Sequence, residues 1–162
     1  MSGPAGVLAG MLHSVRSSLR YSLVLLGVVA GVACSSTTGT GEFKRERQLA
    51  VIRFYQDPML IEVPSVVSRG VDFEVAVRTF GGGCIAQGDT EVSIVGRTAE
   101  VRPFDVFVTQ LPPNGACTDD LRYYLHRATL RFTEPGMAIV RVRGRAQPGN
   151  DVIVVERVVL VT

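Results

Sequence analysis

The chain is short of the residues that most often carry chemistry. Of its 162 residues two are histidine, three are cysteine and none is tryptophan. Past residue 33 only one histidine remains, His126, and it keeps no short ligand spacing with Cys84 or Cys117, which makes a poor zinc set. Charge of one sign is scarce as well. The formal net charge is +2, and both surplus charges, Arg16 and Arg20, precede residue 33; everything after them balances. Neutralising phosphates requires concentrated Lys and Arg, so nucleic acid is set aside as a partner. There is no uncharged apolar run of the ~20 residues that a permanent membrane span needs. After residue 33 no stretch keeps a helical period.

What the chain does have begins with its leader. Tyr21 to Ala33 is uncharged and mostly apolar, follows Arg16 and Arg20, and ends at Cys34-Ser35-Ser36. Its length is that of a signal-peptide core, and the two arginines place the rest of the chain on the far side of the membrane. Residues 1–33 are thus expected to form a signal or anchor helix. Met11 offers an alternative start, with Met11 to Arg20 as an ordinary charged head; initiation found only at Met1 by intact mass would remove that alternative.

The segment Gly31-Val32-Ala33-Cys34 resembles the lipobox of bacterial lipoproteins. The resemblance implies acylation of Cys34, a membrane anchor traceable by palmitate labelling, and, with Ser35 rather than Asp in second place, release to the outer membrane. Gly31 departs from the leucine usual at its position. Two or more acyl chains hold a protein stably where one does not. The competing expectations are cleavage after Ala33 without lipid, giving a soluble secreted protein, and an uncleaved anchor.

Residues 34–47 are polar and aperiodic and read as a tether with a root-mean-square span of roughly 20 Å. Residues 48–162 form the expected domain. Val71 to Arg78 alternates apolar with mostly polar residues, the period of a strand with one buried face. Strands are expected near 49–55, 59–63, 71–80, 91–96, 99–109, 121–132, 137–145 and 152–161. Turn residues fall between them, among them Gly81-Gly82-Gly83, Gln87-Gly88-Asp89, Pro112-Pro113-Asn114-Gly115 and Pro148-Gly149-Asn150. This spacing indicates an all-β sandwich of seven to eight antiparallel strands.

The last third, Ala128 to Gly136, then Ile139 to Arg143, then Val152 to Val161, resembles the final three strands of bacterial immunoglobulin-like domains. The core tryptophan and the tyrosine corner of antibody-type domains are missing, since no Tyr follows Gly136.

With Cys34 acylated and the chain exported, Cys84 and Cys117 have only each other, and an oxidised pair is expected. A reactive thiol is the alternative. His126 lies opposite Leu121, Tyr123 and Leu125 in its strand, so it is expected on the solvent face. Asp119-Asp120 reads as turn chemistry, with a calcium ligand as the competing reading. Gly81-Gly82-Gly83 has no following helix to make a phosphate cradle and reads as a flexible connection. Arg141, Arg143 and Arg145 alternate on one face. They read either as a cationic stripe for anionic lipid or glycan, or as an exposed face balanced by carboxylates such as Glu156, which is favoured. No cofactor, metal or catalytic set is expected. The function expected is a tethered envelope module that binds another envelope protein or a glycan, with an envelope hydrolase as the minor alternative.

Overall fold

A computed structural model describes residues 43–162 as an all-β domain of ten strands. The leader with its expected helix, Cys34 and the tether to residue 42 lie outside the described residues. The strands are β1 (Lys44–Leu49), β2 (Val51–Phe54), β3 (Ile61–Glu62), β4 (Val66–Val67), β5 (Phe73–Gly81), β6 (Ile85–Val95), β7 (Thr98–Gln110), β8 (Arg122–Leu130), β9 (Gly136–Gln147) and β10 (Asp151–Val161).

All ten belong to one curled, mixed sheet. Its backbone is three long antiparallel pairs, β5–β8, β6–β7 and β9–β10. Two of these are hairpins with the chemistry their turns demand. Gly96, at φ 56°, starts the two-residue turn from β6 to β7, and Gly149 and Asn150, at φ 99° and 62°, reverse the chain from β9 to β10. The expectation of antiparallel pairing throughout is corrected at three places, because β2–β9, β7–β9 and β4–β10 are parallel. The reason is topological. Strand β10 occupies one edge of β9, and the β6–β7 hairpin presents to the other edge its second strand, which runs in the same direction as β9.

Two segments read as irregular are strands. Residues 44–47, expected to be tether, belong to β1 and pair with β7, Arg47 opposite Val106. All four are exposed, so hydropathy gives no strand signal, yet the Arg47 guanidinium lies 3.3 Å from the centroid of the Phe104 ring. Gln87-Gly88-Asp89, expected to be a turn, lies inside β6, where the register with β7 shifts between Gln87 and Thr90. This glycine marks a bulge. A Cβ on Gly88 would stand 2.5 Å from the Phe104 carbonyl oxygen, so only glycine allows the two backbones to approach.

The core lies inside the curl. Val75 and Val77 of β5 meet Val101 of β7, Val140 and Val142 of β9 and Val159 of β10, with Leu130 at the end of β8 and Phe132 just beyond it. Burying each such side chain is worth about 1.5–3 kcal/mol. Inward and outward positions alternate without interruption along β8, whose register with β5 runs unbroken from Phe73↔Leu130 to Gly81↔Arg122. That regularity decides the fate of His126.

Candidate functional site

The expectation that His126 faces solvent is overturned: it is 2% exposed. The apolar residues from Leu121, just before β8, through β8 change parity halfway, odd at Leu121, Tyr123 and Leu125 and even at Ala128 and Leu130. A strand without a bulge keeps only one parity inside. The even set is buried, facing Val75 and Phe73 across the ladder, so His126 is carried inward opposite Val77 while Leu121, Tyr123 and Leu125 are left exposed.

Inside, His126 joins a polar chain drawn from four strands. Its Nε2 lies 3.0 Å from Asp105 Oδ1 on β7, and its Nδ1 lies 3.0 Å from Thr90 Oγ1 on β6. The Thr79 hydroxyl on β5 donates to Asp105 Oδ2 at 3.2 Å, and the Gly88 amide approaches Asp105 Oδ1 at 3.4 Å. With Asp105 ionised, Nε2 carries the proton toward it. Nδ1 then either accepts from the Thr90 hydroxyl or, in the imidazolium, donates to it. Each polar atom of the pair is satisfied in both charge states, as a buried polar network requires.

This network also closes the curl. No backbone ladder joins β6 to β8. The two strands are held by side chains instead: Thr90 to His126, the Gln87 amide donating to the Leu125 carbonyl at 2.9 Å, and the Tyr124 hydroxyl donating to the Ile85 carbonyl.

A hydroxyl, an imidazole and a carboxylate in line share the connectivity of a hydrolytic triad. Access separates the two. The side chains of His126 and Asp105 are 1% and 0% exposed, so a substrate atom reaches neither while the domain is folded. Asp105, Thr90 and Thr79 are the site residues that sequence reasoning missed. One signal was legible: Ala99, Val101, Pro103 and Asp105 share one parity of β7, so an acid at an inward position calls for a buried partner.

The other expected residues fall in three places. Cys84 and Cys117 form a disulfide across a sequence separation of 33. The bridge ties the β5–β6 connection to the segment before β8, and Gly81-Gly82-Gly83 is the seat of that segment and not a loose link. A Cβ on Gly82 would stand 2.9 Å from the Asp120 carbonyl oxygen, and one on Gly83 would stand 2.6 Å from the Thr118 amide. Asp120 accepts from the Thr118 hydroxyl and from Arg122, which hold its carboxyl below the usual carboxylate range. Among the described residues no three His, Cys, Asp or Glu side chains gather as a metal site.

Arg141 and Arg143 do not make a free cationic stripe. Arg141 pairs with Glu156 at 2.8 Å and Arg143 with Glu100 at 3.2 Å. The pairing continues across the outer face through Arg102, which lies between Glu100 and Glu91, to Arg47, which holds both Glu91 and Asp89. Asp89 is kept below the ordinary carboxylate range by its hydrogen bonds from Arg47. Arg145 departs from the expected exposed face. It is buried where β2 joins β9, its Nε donating to the Leu49 carbonyl and its Nη1 to Gln48 and Asn150. The register of β2 on β9 shifts there, and Ile52 packs against Gly144, which turns this end of β9 inward. Burial pushes the Arg145 guanidinium down, against the pull of Asp105.

Comparison with known proteins finds no matching family model, no matching curated protein and no matching solved structure.

Proposed function

We propose that the chain is a cell-envelope lipoprotein, anchored to the membrane through acylated Cys34, whose β domain is a non-catalytic binding or structural module. The observation that carries this reading is the leader itself: Arg16 and Arg20, then the apolar run to Ala33, then Gly31-Val32-Ala33-Cys34. The Cys84–Cys117 disulfide agrees with an oxidising compartment outside the cytoplasm. The burial of His126 and Asp105 supports the non-catalytic part. The partner is another envelope protein or a glycan.

The finer fold assignment within this proposal is an immunoglobulin-like sandwich. Its support is the division of the early strands, with β3 antiparallel to β5 and β4 parallel to β10, together with the β5–β8 and β9–β10 pairs. Its point of departure is the parallel β7–β9 contact, where a sandwich of that type is antiparallel.

The test is metabolic labelling with palmitate in cells producing the full chain and its Cys34→Ala variant, followed by membrane fractionation. The proposal expects label on the native chain only, and loss of membrane association in the variant. Unlabelled native protein in the soluble periplasmic or extracellular fraction would replace it with the secreted reading.

A further inference from the structure

We propose that the cleft between the end of β9 and the disulfide-tethered segment before β8 binds a small organic cation, an ammonium group carried on a single ring or short chain. The inference names the ligand class for the domain as a binding module and rests on that part of the reading, but not on the lipid anchor.

The cleft has a volume of about 210 Å³. This is below the ~300–1,000 Å³ of pockets for drug-sized ligands, so the guest is small. Its walls are mostly apolar and include three phenylalanine rings. Phe54 and Phe80 stack with ring centroids 5.6 Å apart, and Phe107, Ile85 and Leu121 stand among the other lining residues. Aromatic faces attract cations through their quadrupole. These rings already do so within the fold: Arg145 stands 4.5 Å from the Phe107 centroid and Arg78 stands 5.3 Å from that of Phe80.

The polar lining selects the sign of the ligand. The ionisable residues of the cleft are Asp119 and Asp120, joined by the Gln147 amide. Asp120 is engaged by Thr118 and Arg122, but Asp119 makes no hydrogen bond or ion pair among the described residues. One carboxylate therefore stands without a protein partner beside a ring-lined hollow. An ammonium satisfies both halves of this arrangement, with its body against the rings and its N–H groups on an acceptor. An anion meets like charge, and a neutral guest of the same shape leaves the carboxylate without a cation.

The cleft has a structural reason to persist. The segment forming its acidic side is held by the Cys84–Cys117 bridge and by the close seat that Gly82 gives Asp120.

The experiment uses the ¹⁵N-labelled mature protein, extracted as cells make it, titrated with phenethylammonium, with neutral 2-phenylethanol and with 3-phenylpropanoate. Phenethylammonium is expected to produce saturable amide shifts centred on Gly82, Ile85, Asp119 and Leu121, with affinity at least tenfold above the alcohol and no saturation with the anion. Asp119→Asn, on an exposed segment, should weaken phenethylammonium about tenfold and leave the alcohol unchanged. Phe54→Leu should weaken phenethylammonium more than it weakens the alcohol. Equal affinity for all three probes, an unchanged Asp119→Asn variant, or shifts centred elsewhere would overturn the proposal. None of these outcomes bears on acylation of Cys34, which the palmitate experiment reads separately.

Discussion

Removing the His126 imidazole should be among the most damaging single changes to this domain, and the damage should be recoverable. His126→Leu deletes the 3.0 Å contact to Asp105 Oδ1 and leaves a carboxylate that water does not reach. Its remaining support is the Thr79 hydroxyl at 3.2 Å, the longer Gly88 contact at 3.4 Å and the field of Arg145. Removing one partner and leaving a buried charge or polar group without it costs from about 1–3 kcal/mol for a hydrogen-bonded pair to about 3–5 kcal/mol for an ion pair. The residual contacts place this case near 3. With a urea slope of ~1–3 kcal/mol per molar, a loss of that size moves the unfolding midpoint down by about 1–3 M. Asp105→Leu should cost about 2–3 kcal/mol, because it orphans the Thr79 hydroxyl and the Gly88 amide while Arg145 loses its counter-charge. The double variant replaces the pair by apolar bulk inside an apolar curl, an exchange that is often close to neutral. It should therefore lie well above the sum of the singles, with a coupling of about 2 kcal/mol or more. The assay is equilibrium urea unfolding of the four proteins followed by circular dichroism. A His126→Leu loss under ~1 kcal/mol, or additivity within ~0.5 kcal/mol, would refute the claim that a desolvated, hydrogen-bonded His126–Asp105 pair closes the curl.

Other perturbations follow from the same geometry. Replacing Cys84 and Cys117 by serine opens a loop with a sequence separation of 33, and on the chain-entropy account should lower stability by about 3.5–4 kcal/mol in a thermal or denaturant melt. A change near zero would mean that the native packing of the segment alone restrains the chain. Gly83→Ala forces a Cβ into Thr118 and should cost about 1–3 kcal/mol with the disulfide intact, whereas Gly70→Ala meets no atom within 4 Å and should lose only what its φ of 74° demands. Asp72, Asp89 and Asp120 are held below their ordinary range by Arg131, by Arg47, and by Thr118 with Arg122. Because the folded values are the lower ones, the unfolded carboxylates protonate first. Their contribution is complete above about pH 4 and is lost as pH falls through the folded values. Urea midpoints measured from pH 6 to pH 2 should therefore decline only below about pH 4, and Asp89→Asn should make that decline shallower; a decline equally steep in the variant would count against it.

The sequence carried the all-β class, because a two-residue period is written into Val71 to Arg78 and its successors and the turn residues stand where those patterns stop. It carried the disulfide partners too, on the expectation of an exported chain in which an acylated Cys34 leaves Cys84 and Cys117 only each other. Other features depended on which strands lie side by side, and the one-dimensional pattern does not encode that. Strand β8 has an apolar set of each parity, and only the uninterrupted register with β5 decided that His126 turns inward and Tyr123 outward. Asp105 is 21 residues from His126 and Thr90 is 36, distances along the chain at which spacing says nothing of contact. Arg47 looked like linker because its stacking partner, Phe104, comes from another strand. Hydropathy is a property of single residues and reaches the sequence directly, whereas pairing across a curled sheet is a property of the closed chain and exists only once that chain has folded.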